Sequence, residues 1–250
     1  MKLFEERTYR TQFNTERFKG FEVKHLETDL WIGVDRPSFN EKMQEVALSR
    51  ICSLREVFDD YIQKEPFFRK SLKPFHPSDS APPEAVEMAT AAEKAGIGPM
   101  SAVAGLFARE VGNEVLQNFS VKELLIENGG DIYLLLKDEL VLSVFAGESI
   151  LSERIGLVIP PSENAFGICA SAGTVGPSLS YGKADAVVVV CDDVLLADAF
   201  ATAFGNKVKS PDHVEKVIKQ VDNFPEIQSL LIICEDKIGI KGENEIRILK

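Results

Sequence analysis

Two hard oxygen ligands stand one helical turn apart in the small, apolar segment of residues 196–206. Asp198 and Thr202 are four positions apart, so on an α-helix both side chains lie on one face. A carboxylate and a hydroxyl on a rigid face suit a hard divalent cation such as Mg2+, with water and ligand phosphates completing its coordination. An alternative stays open, because Asp is also favoured in the first turn of a helix and a Thr among alanines can serve packing alone.

A second candidate is a glycine-rich turn between two segments that both predict strands. The turn contains Asn128, Gly129, Gly130 and Asp131, and Glu127 precedes it. Adjacent glycines permit positive φ angles and the close approach of a ligand to the backbone. Asn-Gly is also the commonest hairpin turn, which explains the glycines without a ligand but not the crowding of acidic and amide groups. We expect a ligand turn here, with Glu127 and Asp131 as the candidate general bases.

The loop of residues 172–182 is dense in small residues and hydroxyl groups. Loops of this composition can bind phosphate through backbone N–H and side-chain O–H groups, although an ordinary turn-rich connector has the same composition. Lys183 could add a positive charge, or it could be an exposed lysine at a strand edge. The candidate ligand residues in and around this loop are Ser171, Gly173, Thr174, Ser178, Ser180 and Lys183.

Together these motifs resemble the ApbE-like family, whose best-known members are magnesium-dependent flavin transferases. The similarity is to the uncharacterised branch of that family in four segments, residues 98–105, 127–131, 167–176 and 182–187. It runs from about residue 28 to residue 206. The resemblance implies an α+β fold with a T-fold-like two-layer core of antiparallel sheet and long helices, and Mg2+ with FAD or a related nucleotide as the cofactors.

Gly98 precedes a predicted helix whose first N–H groups could hold a phosphate, although Gly96 and Gly98 also fit a simple break between two helices. The resemblance implies further roles. The carried-over residues are Gly129, Gly130 and Asp131 at the ligand turn, Ser171 and Gly173 in the next loop, and Asp198 with Thr202 at the cation. The chain departs from the transferases at three places. It has Gly98-Pro99 where they have Lys-Gly, Glu127 where they have Asn, and no histidine where they have a His-Ile-x-Asp-Pro stretch.

Three functions remain open from the sequence. The leading one is a Mg2+ site that binds a flavin or nucleotide diphosphate, with transfer of the flavin phosphate to a protein hydroxyl as its reaction. The second is a non-catalytic module that binds a flavin or another small anion. The third is a structural or oligomer-forming protein that keeps only the fold.

Composition bounds the class of protein. The 250 residues carry 28 Lys and Arg against 39 Asp and Glu, a net charge of −11 without a basic stripe, which argues against nucleic acid as a partner. The first residues are charged and contain no continuous apolar run, so we expect a cytoplasmic protein that does not enter membranes. The four cysteines are scattered in apolar contexts and are expected to be reduced core residues. We expect one domain over residues 1–250, with residues 74–83 as the candidate boundary, and a homo-oligomer is compatible with the sequence.

The elements that must position these residues follow from hydrophobic periodicity. Strands are expected at residues 4–13, 21–26, 30–34, 121–127, 131–136, 140–145, 155–159, 167–171, 184–191, 230–234, 238–241 and 245–249, and helices at 38–64, 84–95, 99–117 and 212–221. Ser38 and Glu41 predict a capping box for the first helix. Residues 137–139 predict a hairpin turn, and the all-apolar run 186–190 predicts a central strand covered on both faces.

Overall fold

Alternating apolar residues build one large antiparallel sheet, which the computed structural model describes together with the rest of residues 16–174 and 181–249. The sheet has eight strands in the order β1-β2-β3-β4-β7-β8-β9-β10, and a second sheet has three, in the order β11-β6-β5. The strands are β1 Phe18–His25, β2 Thr28–Asp35, β3 Leu124–Asn128, β4 Asp131–Leu135, β5 Leu140–Ser143, β6 Ile155–Ile159, β7 Phe166–Ser171, β8 Ala186–Cys191, β9 Ile227–Cys234, β10 Lys237–Gly242 and β11 Ile246–Ile248.

The helices pack on one face of the large sheet. They are α1 Lys42–Lys64, α2 Pro66–Lys70, α3 Pro83–Ala95, α4 Val103–Asn118, α5 Val194–Lys207 and α6 His213–Ile218. Short 3-10 turns span Arg36–Ser38, Pro99–Ala102 and Lys219–Asn223, so the helix expected at residues 212–221 changes to a 3-10 turn after Ile218. Long helices against an antiparallel sheet confirm the predicted α+β class.

Two cores lie on opposite faces of the large sheet. In β8, Val187 and Val189 pack with the helices, while Val188 and Val190 pack against the small sheet. We call these the helix core and the sheet core. The alternation follows from the two-residue period of a strand, and it confirms that β8 is a central strand covered on both faces. The small sheet adds a third layer to the two that were expected.

Two local predictions are wrong. Residues 137–139 do not form a hairpin within one sheet, because β4 pairs with β3 and β7 whereas β5 pairs with β6 in the small sheet. Ser38 does not cap α1, since its hydroxyl donates to Asp35 and the side chain of Asn40 instead accepts from the N–H of Lys42. In the first case the strands on either side of the turn pair with other strands. In the second, Asp35 takes the Ser38 hydroxyl and Asn40 caps the helix instead.

Three further expectations concern the N-terminal strand, the cysteines and membrane-spanning helices. The strand expected at residues 4–13 lies outside the described residues. Cys169, Cys191 and Cys234 are buried free thiols, and Cys52 is half-buried. Across the described part of the chain, every helix is too short or too polar to cross a bilayer.

Candidate functional site

Asp198 lies at the contact between two helices. Helix α5 begins after Asp193, whose carboxylate accepts from the N–H of Leu195 at 2.8 Å. Five residues after Asp193, the buried Asp198 accepts a hydrogen bond through Oδ2 from the N–H of Gly105, also at 2.8 Å. Gly105 stands in the first turn of α4, where N–H groups have no partner within the helix. Asp198 therefore caps α4 from a neighbouring helix.

Gly105 permits this contact because it has no side chain. A Cβ atom there would lie 2.8 Å from the carbonyl oxygen of Val194 and 3.2 Å from the Cβ of Asp198. Real Cβ atoms do not approach a backbone oxygen so closely, so any larger residue would push α4 away from α5. Gly105 is not among the predicted site residues, although a glycine within the first turn of an apolar helix is a signal of close packing.

A buried thiol connects β7 to α5 at this contact, because the Sγ of Cys169 donates to the carbonyl oxygen of Val194 at 3.5 Å. Asp131 on β4 is directly opposite Cys169 on β7 in the strand register, and both are buried. Burial raises the pKa of Cys169 well above its ordinary value, and the charges of Asp131 and Asp198 and a hydrogen bond with Asp131 raise it further. Three distant segments thus converge on one buried acidic centre. Cys169 gave no sequence signal, because its partners come from other elements.

Burial dominates the electrostatics of Asp198. It raises the pKa of this carboxyl to about 7, against an ordinary value of 3.8, and hydrogen bonds from the N–H groups of Gly105 and Ala104 offset only part of the effect. Loss of hydration disfavours the charged form of a carboxyl group. Asp198 is therefore poised between its neutral and ionised forms near neutral pH. Thr202 follows one turn later in the same helix and is half-buried.

The Gly129-Gly130 turn connects β3 to β4 and holds Asp131 in place. Both glycines have positive φ angles, 70° and 103°, and Asn128 pairs with Asp131 across the turn. The amide of Asn128 donates to the carbonyl of Ala104 at 3.0 Å, next to the residue that Asp198 caps. The turn consequently lies beside the start of α4.

Glu127 is separated from the other carboxylates by strand alternation. Ile126 belongs to the helix core and Leu125 to the sheet core, so Glu127 lies on the sheet-core face, whereas Asp131 lies on the helix face. Glu127 is buried, and its Oε1 accepts from the N–H of Gly130 at 2.9 Å. This position suits a residue that fixes the turn, and it does not suit a general base acting on the helix face.

Gly98 has a packing reason to be glycine. A Cβ atom on Gly98 would lie only 1.8 Å from the carbonyl oxygen of Ser71. The 3-10 turn Pro99–Ala102 follows and leads directly into α4. Gly98 therefore precedes the site helix, but its backbone is covered by the chain around Ser71.

At the end of β7, Ser171 lies against helix α5 near Gly205. The hydroxyl oxygen of Ser171 lies 3.3 Å from the Cβ position of Gly205, on the helix that carries Asp198 and Thr202. The hydroxyl of Thr174 instead donates to Asp185 at 3.0 Å.

Backbone hydrogen bonds tie the two arms of this loop to neighbouring segments. The N–H of Gly173 donates to Ala184, and that of Lys183 to Val208. Ser178 and Ser180 lie outside the described residues.

The donor set suits a hard cation that takes most of its ligands from elsewhere. Within residues 16–174 and 181–249, no three or more His, Cys, Asp and Glu side chains are arranged to hold a metal by themselves. Asp198, Thr202 and Asp131 offer oxygen atoms, the type that Mg2+ prefers, and Mg2+ commonly keeps water and substrate phosphates as its other ligands. A nearby cation would also favour the ionised form of Asp198. The residues present therefore fit Mg2+ accompanied by a phosphate-bearing ligand.

An antiparallel sheet backed by long helices, with an Asp-Thr helix beside a Gly-Gly-Asp turn, defines an ApbE-like protein. The family model described as AbpE bacteria matches residues 10–224, and the chain belongs to this family. A UPF0280 protein of Methanosarcina barkeri is 40% identical over 200 residues, which cover 80% of this chain and 78% of the relative. A UPF0280 protein of Methanocaldococcus jannaschii is 34% identical over 222 residues, covering 87% and 88%.

Solved structures of ApbE proteins share the fold. The apo flavinyl transferase ApbE of Pseudomonas stutzeri is similar with a TM-score of 0.57 at 10% identity, over 90% of this chain and 93% of that one. The ApbE protein of Thermotoga maritima gives a TM-score of 0.56 at 14% identity, over 90% and 97%. At such identities the similarity establishes the fold alone.

Proposed function

We propose that this protein binds a flavin or related nucleotide diphosphate together with Mg2+ at the helix face formed by Asp198, Thr202 and Asp131. The observation that carries the proposal is the buried carboxylate of Asp198, held by the N–H of Gly105 and close enough to Cys169 to raise the pKa of its thiol. A buried acid of this kind is costly to the fold, and such groups concentrate at functional sites.

Each residue has a defined part in the proposed site. Asp198 and Thr202 would hold the cation from one face of α5, and Asp131 would approach it from the start of β4. When bound, Mg2+ would neutralise the charge of the diphosphate. The Gly129-Gly130 turn, which the amide of Asn128 connects to α4, fixes the position of Asp131.

Binding without efficient turnover is the form of this function that the residues support. In flavin phosphate transfer, an acceptor hydroxyl oxygen would form a bond to the FMN phosphorus, the bond to AMP would break, and a base would take the hydroxyl proton. Asp131 would be that base in our proposal, and the position of Glu127 on the other face of the sheet supports this choice. The Lys-Gly and His-Ile-x-Asp-Pro contacts of the transferases are missing, and positioning contributes several kcal/mol to such reactions.

The binding proposal is tested by titrating the protein with FAD, with Mg2+ and with EDTA, and following flavin fluorescence. We expect Mg2+ to be required, and Asp198→Asn and Thr202→Val each to weaken binding by about tenfold or more. Both variants keep the shape of the side chain. Asp59→Asn on the exposed face of α1 is the matched control and should bind as the unchanged protein does. FAD binding that ignores both EDTA and Asp198→Asn would refute the site.

Transfer is tested separately with FAD, Mg2+ and an acceptor protein, using the covalent flavin signal on a denaturing gel. We expect much weaker labelling than an ApbE transferase gives, or none. Labelling at an ordinary enzymatic rate that is abolished by Asp131→Asn would establish the transferase function instead. Mass spectrometry of protein purified without added ligand would identify a co-purified flavin or nucleotide.

A further inference from the structure

Ser171 places a hydroxyl group on the face of α5 that carries Asp198 and Thr202. Its oxygen lies 3.3 Å from the Cβ position of Gly205. Gly205 follows Thr202 by three residues and Asp198 by seven, so all three lie on one face of the helix. Ser171 is half-buried, and within residues 16–174 and 181–249 its hydroxyl has no hydrogen-bond partner. A phosphate group held along this face could accept a hydrogen bond from Ser171.

The chain beyond Ser171 is fixed by a buried carboxylate. Asp185 directly precedes β8, and its Oδ1 accepts from the hydroxyl of Thr174 at 3.0 Å. Its Oδ2 accepts from the N–H of Glu235 at 2.6 Å, in the turn between β9 and β10. Since both oxygens accept hydrogen bonds, Asp185 connects the loop after β7 to the turn of a different hairpin.

The turn that holds Asp185 is itself fixed. Glu235 has a φ of 55°, a conformation that residues with a side chain seldom adopt, so surrounding contacts must hold it. The N–H of Asp185 donates to the carbonyl of Ile233, and the hydroxyl of Ser149 donates to the carbonyl of Glu235. Asp185 therefore gives Thr174 an anchor that lies outside the loop itself.

Close packing transmits the position of Thr174 to Ser171, because only two residues separate them. One of these, Gly173, donates its N–H to the carbonyl of Ala184 at 2.8 Å. A Cβ atom on Gly173 would lie 2.3 Å from the carbonyl oxygen of Gly182, so the backbones of the two arms of the loop touch here. This short segment has little room to move. Fixing Thr174 therefore also fixes where the hydroxyl of Ser171 lies.

We propose that Asp185 is a positioning residue for the nucleotide site, and that Thr174 anchors the loop rather than binding the ligand. A hydroxyl donates one hydrogen bond, and Thr174 gives its own to Asp185. Through Thr174, Asp185 holds the hydroxyl of Ser171 where it donates to a phosphate oxygen of the bound nucleotide. This inference rests on the proposed function, and it adds that a buried acid outside the cation site controls affinity for the phosphate-bearing ligand.

Mg2+-dependent binding of FAD, followed by flavin fluorescence, tests this inference. We expect Asp185→Ala, Thr174→Val and Ser171→Ala each to weaken binding by about fivefold or more. Asp185→Asn should bind nearly as the unchanged protein does, because its oxygen can accept from Glu235 and its NH2 group can donate to the hydroxyl of Thr174. Thr90→Val, which removes an exposed threonine hydroxyl on α3, is the matched control and should have no effect.

A double variant separates positioning from a general loss of stability. If Asp185 acts through Ser171, the variant with both Asp185→Ala and Ser171→Ala should bind FAD as weakly as Ser171→Ala alone. Effects that arise independently multiply instead. Circular dichroism and urea unfolding establish that each variant is folded. Should Asp185→Ala fail to fold, Thr174→Val replaces it in the double variant, because this change leaves the bond between Asp185 and Glu235 in place.

Two results would overturn the inference while the proposed function stands. One is Mg2+-dependent FAD binding that Asp185→Ala and Thr174→Val leave unchanged. The other is a double variant whose loss of affinity is the product of the two single losses, which would show that Asp185 does not act through Ser171. Absence of Mg2+-dependent FAD binding in the unchanged protein would instead refute the proposed function, and the inference with it.

Discussion

Replacing Asp198 by Asn measures what the buried carboxylate costs the fold. The folded protein holds this proton up to about pH 7, whereas a carboxyl with its ordinary pKa of 3.8 releases it far earlier. Between these values the folded state binds more protons than the unfolded state, so the free energy of unfolding falls as pH rises. Each tenfold change in proton affinity is worth about 1.4 kcal/mol, so the loss is on the order of 4 kcal/mol once pH 7 is passed.

Asn has the shape of Asp and keeps an oxygen that can accept from Gly105, but it cannot ionise. In EDTA, Asp198→Asn should therefore match the unchanged protein near pH 4 and exceed its stability above pH 7, by up to about 4 kcal/mol. Asp198→Ala removes the side-chain oxygen as well, so the N–H of Gly105 loses its hydrogen-bond acceptor. It should be less stable than Asp198→Asn by about 1–3 kcal/mol.

Urea unfolding of the three proteins between about pH 4 and about pH 8 gives these differences. Asp59→Asn, on the exposed face of α1, serves as the control and should parallel the unchanged protein throughout. If the unchanged protein and Asp198→Asn show the same pH dependence, burial does not raise the pKa of Asp198 as described. The electrostatic argument for the site would then fail.

Three further changes test the hydrogen bonding and close packing described above and elsewhere in the fold. Glu127→Ala should speed hydrogen exchange of the Gly130 amide, measured by NMR, because this amide loses its acceptor. Glu127→Gln should keep the amide protected, because its side-chain oxygen can replace Oε1. Equal exchange in both variants would contradict the proposed role of Glu127 in fixing the turn. Gly182→Ala should lower the melting temperature, because the new Cβ would lie 1.9 Å from the carbonyl oxygen of Gly205, and an unchanged melting temperature would show that the backbone shifts without cost. Tyr61→Phe should leave stability unchanged or raise it by about 1 kcal/mol in urea unfolding, because the buried hydroxyl has no hydrogen-bond partner among the described residues; a clear loss would mean that water or another group satisfies it.

Periodicity predicted most of the elements because strands and helices bury residues at fixed intervals. The all-apolar run of residues 186–190 could only be a central strand if both faces were covered, and β8 has one core on each side. The failures are also local in origin. A turn signal at residues 137–139 marks where the chain reverses, but it does not state which sheet receives the next strand.

The candidate site was also predicted only where the signal lies within a short segment of the chain. The amino-acid types and spacing of Asp198 and Thr202, and the Gly-Gly turn before Asp131, pointed to hard-ligand chemistry without a structure. They did not reveal that the N–H of Gly105 donates to Asp198, or that Cys169 is paired with Asp131 across the sheet.

The sequence by itself determined the fold class, the central strand and the placement of Asp198 and Thr202 on one helix, because these depend on residues close together along the chain. Only the tertiary structure decided which face of β3 carries Glu127, which amide holds Asp198, and how strongly burial shifts its ionisation. Those properties arise from segments up to 93 positions apart, as between Gly105 and Asp198, and desolvation depends on everything packed around a group rather than on its neighbours in sequence.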